Sequence, residues 1–202
     1  MNNYWNTHWD NRYSTDEYVF GKEPNQFFKK EVAKIAPGRI LLPGEGEGRN
    51  AIYAAGLGWA VDAFDFSSEG KRKAEKLAAE SKVNINYSIS DFAEYMPREN
   101  YYDAVGIFYL HIEEELRSRL FGRLIKSLKP SGKIIFECFE KEQIGYSSGG
   151  PSEESLLYSL EDVVNEFIDL DFEKFSKEKI YLNEGSGHVG EGIVVQFVGS
   201  RK

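Results

Sequence analysis

Three glycines alternate with two glutamates directly after a short apolar run, in the segment RILLPGEGEG. Glycine lets the backbone turn tightly and approach a ligand closely, so such a loop is typical of phosphate sites. Glu45 and Glu47 would oppose a phosphate, because a carboxylate about 6 Å from a ligand charge interacts by roughly 3 kcal/mol at an effective dielectric of about 20. The loop favours a ligand that is neutral or positive beside Gly44, Gly46 and Gly48. A tight turn without a ligand, with the glutamates facing solvent, is the alternative.

The spacing of the glycines also differs from the fingerprint of dinucleotide-binding folds. In the pattern G-x-G-x-x-G the third glycine would stand at position 49, where this chain has Arg49. This difference argues against a nicotinamide or flavin ligand.

Acidic and aromatic residues follow the next two predicted strands. Asp65 ends the run AVDAFD, at the position where an acid accepts the ribose hydroxyls in nucleoside-binding folds. Phe66 follows it and could either pack in the core or stack on a base. Asp91 follows the third strand beside Phe92, and its carboxylate can accept from the exocyclic amine of adenine. The three strand ends together indicate a nucleoside site with no requirement for phosphate.

Hydrophobic periodicity predicts the elements that position these residues. Apolar runs and residues at helical spacing alternate along the chain, with helices expected over FFKKEVAKIA and over the stripe from Leu156 to Phe167. Two strands close the chain, around KIYLN and GIVVQFV. The sequence therefore predicts an α/β fold, a doubly wound, mostly parallel seven-stranded sheet with a C-terminal antiparallel hairpin strand. Ligands of such sheets lie beyond the carboxyl ends of the strands.

Composition sets limits on the class of protein. The chain has 202 residues and a formal net charge of −8, which disfavours nucleic acid and anionic membranes as partners. The sequence contains no long apolar run and no apolar segment near its start, so we expect neither a transmembrane helix nor a signal peptide. Cys138 is the only cysteine, which excludes an internal disulfide and predicts a reducing cytoplasm. We expect one domain over residues 1–202.

The motifs as a set resemble the class I S-adenosylmethionine-dependent methyltransferases. The resemblance rests on LLPGEGEGRNA, AFDFS, SDF, YDAVGIFYLH and LKPSGKIIFE, in this order. WDNRYSTDEYVFGKEPNQFF and EGSGHVGEGIVVQF are similar to the bacterial branch of tellurite-resistance and thiopurine methyltransferases. The resemblance implies a Rossmann-like methyltransferase fold and S-adenosylmethionine as cofactor, which carries a sulfonium and an ammonium but no phosphate.

The resemblance also implies roles for individual residues. The glycines of the loop match those under the methionine part of the cofactor, Asp65 matches the acid on the ribose, and Asp91 matches the acid on the adenine amine. Phe66 and Phe92 match the neighbours of the adenine, and Phe108 matches the residue near the methionine moiety. The predicted cofactor-binding residues are thus Gly44, Glu45, Gly46, Gly48, Asp65, Phe66, Asp91, Phe92 and Phe108.

One departure from the family concerns the residues before the loop. Most of the superfamily has an acid there, where this chain has Leu41, Leu42 and Pro43. We hypothesise that Glu45 or Glu47 replaces this acid.

Methyl transfer to a small molecule requires alignment of the acceptor and, for a nitrogen or oxygen nucleophile, a base. A soft sulfur, selenium or tellurium nucleophile needs less assistance. Candidate bases at the same sheet edge are His111, Glu137 and His188, each of which could instead have a structural role. Tyr146 lies in a Gly/Ser-rich loop after the fifth strand and could line the acceptor pocket. Cys138 alternates with apolar neighbours, which predicts a core position.

The aromatic N-terminal segment, residues 1–25, matches the part of the family that folds over the cofactor. Aromatic faces can hold a sulfonium by cation–π attraction, worth about 0.5–2 kcal/mol. Arg12 and Tyr18 are the predicted substrate-binding residues here, and ordinary hydrophobic packing is the alternative for the segment.

The sequence thus predicts a methyltransferase with a small-molecule acceptor, present as a monomer or weak homodimer and without a metal. Two alternatives stay open. One is a nicotinamide-dependent oxidoreductase, and the other is a non-catalytic member that binds the cofactor.

Overall fold

The computed structural model describes residues 3–202, except for the side chains at positions 3, 4 and 6. A single seven-stranded sheet has the order β3-β2-β1-β4-β5-β7-β6, and β7 runs antiparallel to both of its neighbours. The strands are β1 (Arg39–Pro43), β2 (Ala60–Asp65), β3 (Asn86–Ile89), β4 (Tyr102–Phe108), β5 (Leu128–Phe139), β6 (Leu170–Glu184) and β7 (His188–Arg201). The predicted fold class is confirmed, including the closing hairpin of β6 and β7.

Six α-helices accompany these strands in the described part of the chain. They are α1 (Asn3–Tyr13), α2 (Gln26–Val32), α3 (Arg49–Gly56), α4 (Ser68–Ser81), α5 (Glu114–Ser127) and α6 (Leu160–Glu166). The crossovers β1–α3–β2 and β2–α4–β3 place parallel strands side by side, and their carboxyl ends meet at one edge of the sheet. Residues that follow β1, β2 and β4 are therefore neighbours in space.

Two helices are shorter than their apolar patterns predict. Helix α2 ends at Val32, and residues 33–35 form turns, because Pro37 disfavours helix in the residue before it. The stripe from Leu156 to Phe167 is interrupted at Tyr158, whose backbone pairs with Phe139 and Lys141 beside β5. Ser159 then starts α6 with a capping box. Helix α1 was not expected, since its sequence carries no apolar stripe.

The sheet separates two apolar cores. Phe64, Phe121, Phe136 and Phe197 are fully buried on the face covered by α5 and α6. The other face packs Phe28, Leu42 and their neighbours under α2, α3 and α4. Cys138 is fully buried in the first core, as its position in the strand predicted. None of the helices in the described residues is both long enough and apolar enough to cross a membrane.

Candidate active site

A cavity of about 550 Å³ lies beyond the carboxyl ends of β1, β2 and β4. Helix α1 and the segment that follows it contribute Trp9, Tyr13 and Phe20 to its wall, so the N-terminal segment borders the cavity. Ten of the predicted site residues line it: Arg12, Gly44, Glu45, Asp65, Phe66, Asp91, Phe92, Phe108, His111 and His188. The cavity thus brings together residues from both ends of the chain.

The glycine loop adopts the backbone that its residue types allow. Gly44, Gly46 and Gly48 all have positive φ values, of 63°, 57° and 91°. Only Gly44 of the three lines the cavity, where a Cβ would come within 2.9 Å of Leu110. Gly46 and Gly48 instead allow close packing, because a Cβ would meet the Tyr13 hydroxyl at 2.7 Å and the Ala74 Cβ at 2.6 Å. The packing thus gives Gly46 and Gly48 a role in shaping the loop, and their predicted cofactor contact stays a prediction.

Asp65 joins the end of β2 to the glycine loop. The backbone N–H of Gly46 donates to its Oδ2 at 3.1 Å, and the N–H of Ser67 donates to its Oδ1 at 2.9 Å. Burial raises the pKa of Asp65 to about 6, although these amide bonds oppose the rise. The carboxyl group is fixed in direction at the cavity wall, where an acceptor for ribose hydroxyls would stand.

The two glutamates of the loop have different surroundings. Glu47 forms a buried ion pair with Lys73, at 2.6 Å between Oε1 and Nζ, and accepts the N–H of Phe20 at 3.4 Å. Glu45 is half-buried at the cavity wall, and its Oε1 accepts the N–H of Ala51 in the first turn of α3 at 2.7 Å. Burial raises the pKa of Glu45 to about 7. Glu45 therefore forms no close ion pair comparable to that of Glu47 with Lys73, although the charge of the Arg49 guanidinium opposes the rise of its pKa.

Aromatic rings border the cavity beside β2 and β3. Phe66 and Phe92 meet edge to face, with their centroids 5.3 Å apart. Asp91 starts the following turn, since its Oδ1 accepts the N–H of Ala93 at 2.8 Å. Phe108 ends β4 at the same cavity. Phe66, Phe92 and Asp91 could hold a flat base with an exocyclic amine, and Phe108 stays the residue predicted near the methionine moiety.

Two imidazoles flank Phe139 at the part of the cavity formed by β4, β5 and β7. The ring of His111 stacks on Phe139 at 5.6 Å, and that of His188 meets it edge-on at 5.2 Å. His111 Nδ1 lies 2.9 Å from the carbonyl oxygen of Leu156, which assigns the proton to Nδ1. Its Nε2 is buried without a hydrogen-bond partner in the described part of the protein, and burial lowers the pKa of His111 to about 4. A neutral His111 is thus a hydrogen-bond acceptor.

Glu137 does not line this cavity. Its carboxylate is buried and accepts hydrogen bonds from Asn25 Nδ2, the Tyr109 hydroxyl at 2.7 Å and Gln196 Nε2 at 2.6 Å. Burial raises the pKa of Glu137. Donors occupy both oxygens, which favours the structural alternative, and the catalytic role of Glu137 stays a prediction.

Two predicted substrate residues also lie away from the cavity. The Tyr18 hydroxyl donates to the carbonyl oxygen of Lys73 at 3.0 Å, which ties the N-terminal segment to α4. Tyr146 is exposed beside Lys179, with Nζ 5.9 Å from the ring centroid. Arg12 does line the cavity, and its guanidinium lies 5.2 Å from the ring centroids of both Trp9 and Phe20.

The fold also brings to the site several residues for which the sequence predicts no role. Arg49, Tyr109 and Phe139 line the cavity, and Glu184 lies behind His188. In the sequence Arg49 stands out only as a departure from the glycine pattern, and no local pattern marks Glu184. In the residues that the structure describes, no group of three or more His, Cys, Asp or Glu side chains could hold a metal ion.

The chain is similar to known methyltransferases in sequence. A family model described as a methyltransferase domain matches residues 40–132, which include the glycine loop, Asp65 and Asp91. Phosphoethanolamine N-methyltransferase 2 of Caenorhabditis elegans is 32% identical over 126 residues, which cover 60% of this chain and 28% of that protein. The chain thus aligns with little more than a quarter of that relative's length.

Solved structures share the fold. TehB from Haemophilus influenzae superposes with a TM-score of 0.74 at 15% identity, covering 98% of this chain and 67% of that one. The N-methyltransferase NodS from Bradyrhizobium japonicum, in complex with S-adenosyl-L-homocysteine, gives a TM-score of 0.73 at 10% identity, with 97% of each chain covered. These likenesses concern the fold, and the domain match over residues 40–132 confirms the predicted resemblance to the class I S-adenosylmethionine-dependent methyltransferases.

The residues present fit the cofactor that this class uses, S-adenosylmethionine. Gly44 leaves space that a Cβ would fill, Asp65 and Asp91 place carboxylates at the ends of neighbouring strands, and Glu45 adds a carboxylate at the loop. The cofactor brings a cationic amino-acid part and no phosphate, which suits an acidic glycine loop.

Proposed function

We propose that this protein is an enzyme that transfers a methyl group from S-adenosylmethionine to the nitrogen of a small-molecule acceptor. The observation that carries the proposal is the single cavity in which the glycine loop, Asp65 and two imidazoles meet. The name of the Caenorhabditis elegans relative, a phosphoethanolamine N-methyltransferase, supports nitrogen as the acceptor atom.

The chain's own residues would divide the work between two parts of the cavity. Glu45, Asp65 and Asp91 would hold the amino-acid, ribose and adenine groups, respectively. When bound, the cofactor supplies an electrophilic methyl group on a sulfonium. His111 and His188 would orient the acceptor and take its proton, because an ammonium lacks the lone pair that attacks carbon. The aromatic wall of Tyr109 and Phe139 would exclude water.

The N-terminal segment, residues 1–25, would cover the bound cofactor. Residues 1 and 2 of this segment lie outside the described part of the chain. Trp9 and Phe20 offer aromatic faces at the cavity wall, to which a sulfonium is attracted. Arg12 on the same segment would contact a carboxylate or phosphate of an acceptor.

A two-stage experiment tests the proposal. Isothermal titration should detect binding of S-adenosylhomocysteine and no binding of NADH, which separates a methyltransferase from the nicotinamide-dependent alternative. Formation of S-adenosylhomocysteine from S-adenosylmethionine is then measured with primary amines, thiols and oxyanions as acceptors. We expect turnover with amines. Cofactor binding without turnover on any acceptor would favour a non-catalytic role, and turnover confined to thiols would contradict the nitrogen acceptor.

Other expectations stay predictions of the same proposal. We expect a single domain that acts on a small molecule in the cytoplasm as a monomer or weak homodimer, and the net charge of −8 disfavours nucleic acid as a partner. Light scattering over a range of protein concentrations tests the oligomeric state, and a nucleic-acid filter-binding assay tests the absence of that partner.

A further inference from the structure

We propose that Glu184 is the positioning residue of a histidine–carboxylate dyad, in which it holds His188 with Nε2 free to accept a proton from the methyl acceptor. This inference deepens the proposed function and rests on it. Glu184 ends β6 and His188 begins β7, and the two are directly paired across the hairpin. No local sequence motif connects them, but the tight turn brings their side chains together.

The contact itself fixes one nitrogen of the imidazole. His188 Nδ1 lies 3.1 Å from Glu184 Oε2, and both side chains are more than nine-tenths buried. An ionised carboxylate only accepts hydrogen bonds, so Nδ1 carries the proton and donates it. The neutral ring then has its lone pair on Nε2, which Glu184 does not contact. His188 itself lines the cavity.

Two further groups hold the carboxylate of Glu184 in place. Arg49 Nη2 donates to Oε2 at 3.0 Å, and Asn25 Nδ2 donates to Oε1 at 3.3 Å. Burial opposes the charge on Glu184, yet the bond to His188 and the Arg49 guanidinium outweigh it and lower the pKa of the carboxyl. Glu184 is therefore ionised at neutral pH and keeps its direction.

Aromatic rings fix the plane of the imidazole. The ring centroid of His188 lies 4.6 Å from that of Phe20, 4.4 Å from that of Tyr109 and 5.2 Å from that of Phe139. Gly149 belongs to this packing, because a Cβ there would come within 2.6 Å of the His188 ring. The ring thus has one orientation, which is what a positioned base requires.

The proton transfer balances as follows. An ammonium acceptor loses a proton to Nε2 of His188, and the electrons of the broken N–H bond become the lone pair that forms the new bond to the methyl carbon. The bond between that carbon and sulfur breaks, and its electron pair stays on sulfur in the neutral thioether that leaves. The imidazolium that results stands beside the Glu184 carboxylate, which stabilises its charge. The proton then leaves His188 to solvent after product release.

The charges around His188 set the pH at which it can act. Burial lowers the pKa of His188, and the hydrogen bond to Glu184 opposes this effect. The titratable and charged groups that face it are Glu184 on β6, Arg49 on α3, Arg12 on α1, and Tyr109 and His111 after β4. Removing the charge of Glu184 should therefore move the pKa of His188 further down.

The first test observes the tautomer without any reaction. Long-range ¹H–¹⁵N spectra of the full chain report which nitrogen of each of the three histidines carries a proton, and His188→Asn assigns the signal. We expect Nδ1–H and an unprotonated Nε2 in the wild type, with and without S-adenosylhomocysteine. In Glu184→Gln the side-chain amide can donate to Nδ1, so the proton should move to Nε2. A wild-type ring protonated on Nε2 would overturn the proposal even if no variant folds.

The second test uses the pH dependence of kcat with an amine acceptor. Glu184→Gln should lower kcat on the order of 10²-fold, within the range of general-base catalysis, and shift the acidic limb of the profile to lower pH. The KM for S-adenosylmethionine should not change, and Glu184→Asp should recover part of kcat. Glu191→Gln, an exposed carboxylate of the same hairpin paired with Lys179, is the control and should keep wild-type kcat.

The outcomes separate the two proposals. A loss of kcat with an unmoved acidic limb and an unchanged tautomer would assign Glu184 a purely structural role and overturn the dyad. If the wild type methylates no acceptor, the proposed function fails, while the spectra still decide whether Glu184 positions His188.

Discussion

At the residue scale, the question is which glutamate replaces the acid that most of the family has before the glycine loop. Its carboxylate faces the cavity and accepts the N–H of Ala51, so it also serves as a capping group for α3, whose N-cap residue is Gly48. The Glu47 carboxylate is less available to a ligand, because it forms a buried ion pair with Lys73. Of the two glutamates in the hypothesis, Glu45 is therefore the one that we propose holds the cofactor ammonium.

Glu45→Gln should weaken S-adenosylhomocysteine binding by about 10-fold or more, since two charges about 6 Å apart interact by roughly 3 kcal/mol at an effective dielectric of about 20. Binding of 5′-methylthioadenosine, which lacks the ammonium, should not change. Isothermal titration measures both affinities. Glu75→Gln, on an exposed turn of α4, is the control. Equal losses for both ligands would remove Glu45 from the ammonium site.

The pH dependence of the same residue gives an independent check. Burial raises the pKa of Glu45 to about 7, so the cofactor-free protein binds a proton there that the unfolded chain releases near its ordinary value of 4.5. Its contribution to the free energy of unfolding is thus present below that value and is lost as the pH rises through about 7. The affinity for S-adenosylhomocysteine should instead rise with pH over the same range, because the ionised Glu45 carboxylate attracts the ligand ammonium. Glu45→Gln should make both trends shallower near pH 7, with the contribution of Asp65, whose pKa is about 6, left in place, and an unchanged trend would contradict the assignment.

At the element scale, the Asp10 side chain hydrogen-bonds α1 to the start of α4. The Asp10 carboxylate accepts from Ser67 Oγ at 2.6 Å, from Ser68 Oγ at 3.2 Å and from the N–H of Glu69 at 3.1 Å. Burial opposes the charge of Asp10, but these bonds outweigh it and lower its pKa. Helix α4 starts at Ser68, three residues after Asp65, so this contact links the proposed cover to the ribose end of the site.

Asp10→Ala should release α1 while the domain stays folded. We expect faster hydrogen exchange over residues 5–13 and a several-fold faster release of S-adenosylhomocysteine, with the free energy of unfolding changed by less than about 1 kcal/mol. Asp16→Ala, an exposed acid of the same segment, is the control. A variant with unchanged exchange in α1 would show that aromatic packing of Tyr13, rather than Asp10, holds the helix.

At the scale of the whole molecule, the two ends of the chain meet at the site. The N–H of Gly187, in the turn of the β6–β7 hairpin, donates to the carbonyl oxygen of Val19 at 2.8 Å. Arg49 extends this connection, because its Nη1 donates to the carbonyl oxygen of Phe20 at 3.2 Å while Nη2 holds Glu184. The N-terminal segment that we propose covers the cofactor therefore contacts the hairpin that carries the proposed base, His188.

Gly185→Ala tests this connection. Gly185 has a φ of 59°, and a Cβ there would lie 2.3 Å from the carbonyl oxygen of Val19. We expect a loss of about 1–3 kcal/mol in the free energy of unfolding, with weaker S-adenosylhomocysteine binding, since the hairpin turn must move away from the N-terminal segment. Chemical denaturation and titration measure the two effects.

Gly56→Ala provides the matched glycine control. This exposed residue ends α3, and a Cβ there would meet nothing within 4 Å. The free energy of unfolding should stay the same or rise by up to about 1 kcal/mol, as expected for alanine in a helix. Wild-type cofactor affinity in Gly185→Ala would contradict the coupling of the two chain ends.

The sequence by itself determined the fold class and the residues that follow the parallel strands. Apolar runs, glycines and strand-end acids are local signals in the sequence. Parallel strands bring their carboxyl ends to one edge of the sheet, and this alignment does not depend on the identity of the side chains. Gly44, Asp65, Phe66, Asp91 and Phe92 therefore reach the cavity as predicted.

Only the tertiary structure decided which polar residues face the cavity. Glu137 and Glu45 are both acids near strand ends, yet three donors from distant segments enclose the first and the cavity receives the second. Tyr18 and Glu184 likewise depend on partners far away in sequence. A side chain's hydrogen bonds and burial depend on packing between elements, and local spacing does not encode that packing.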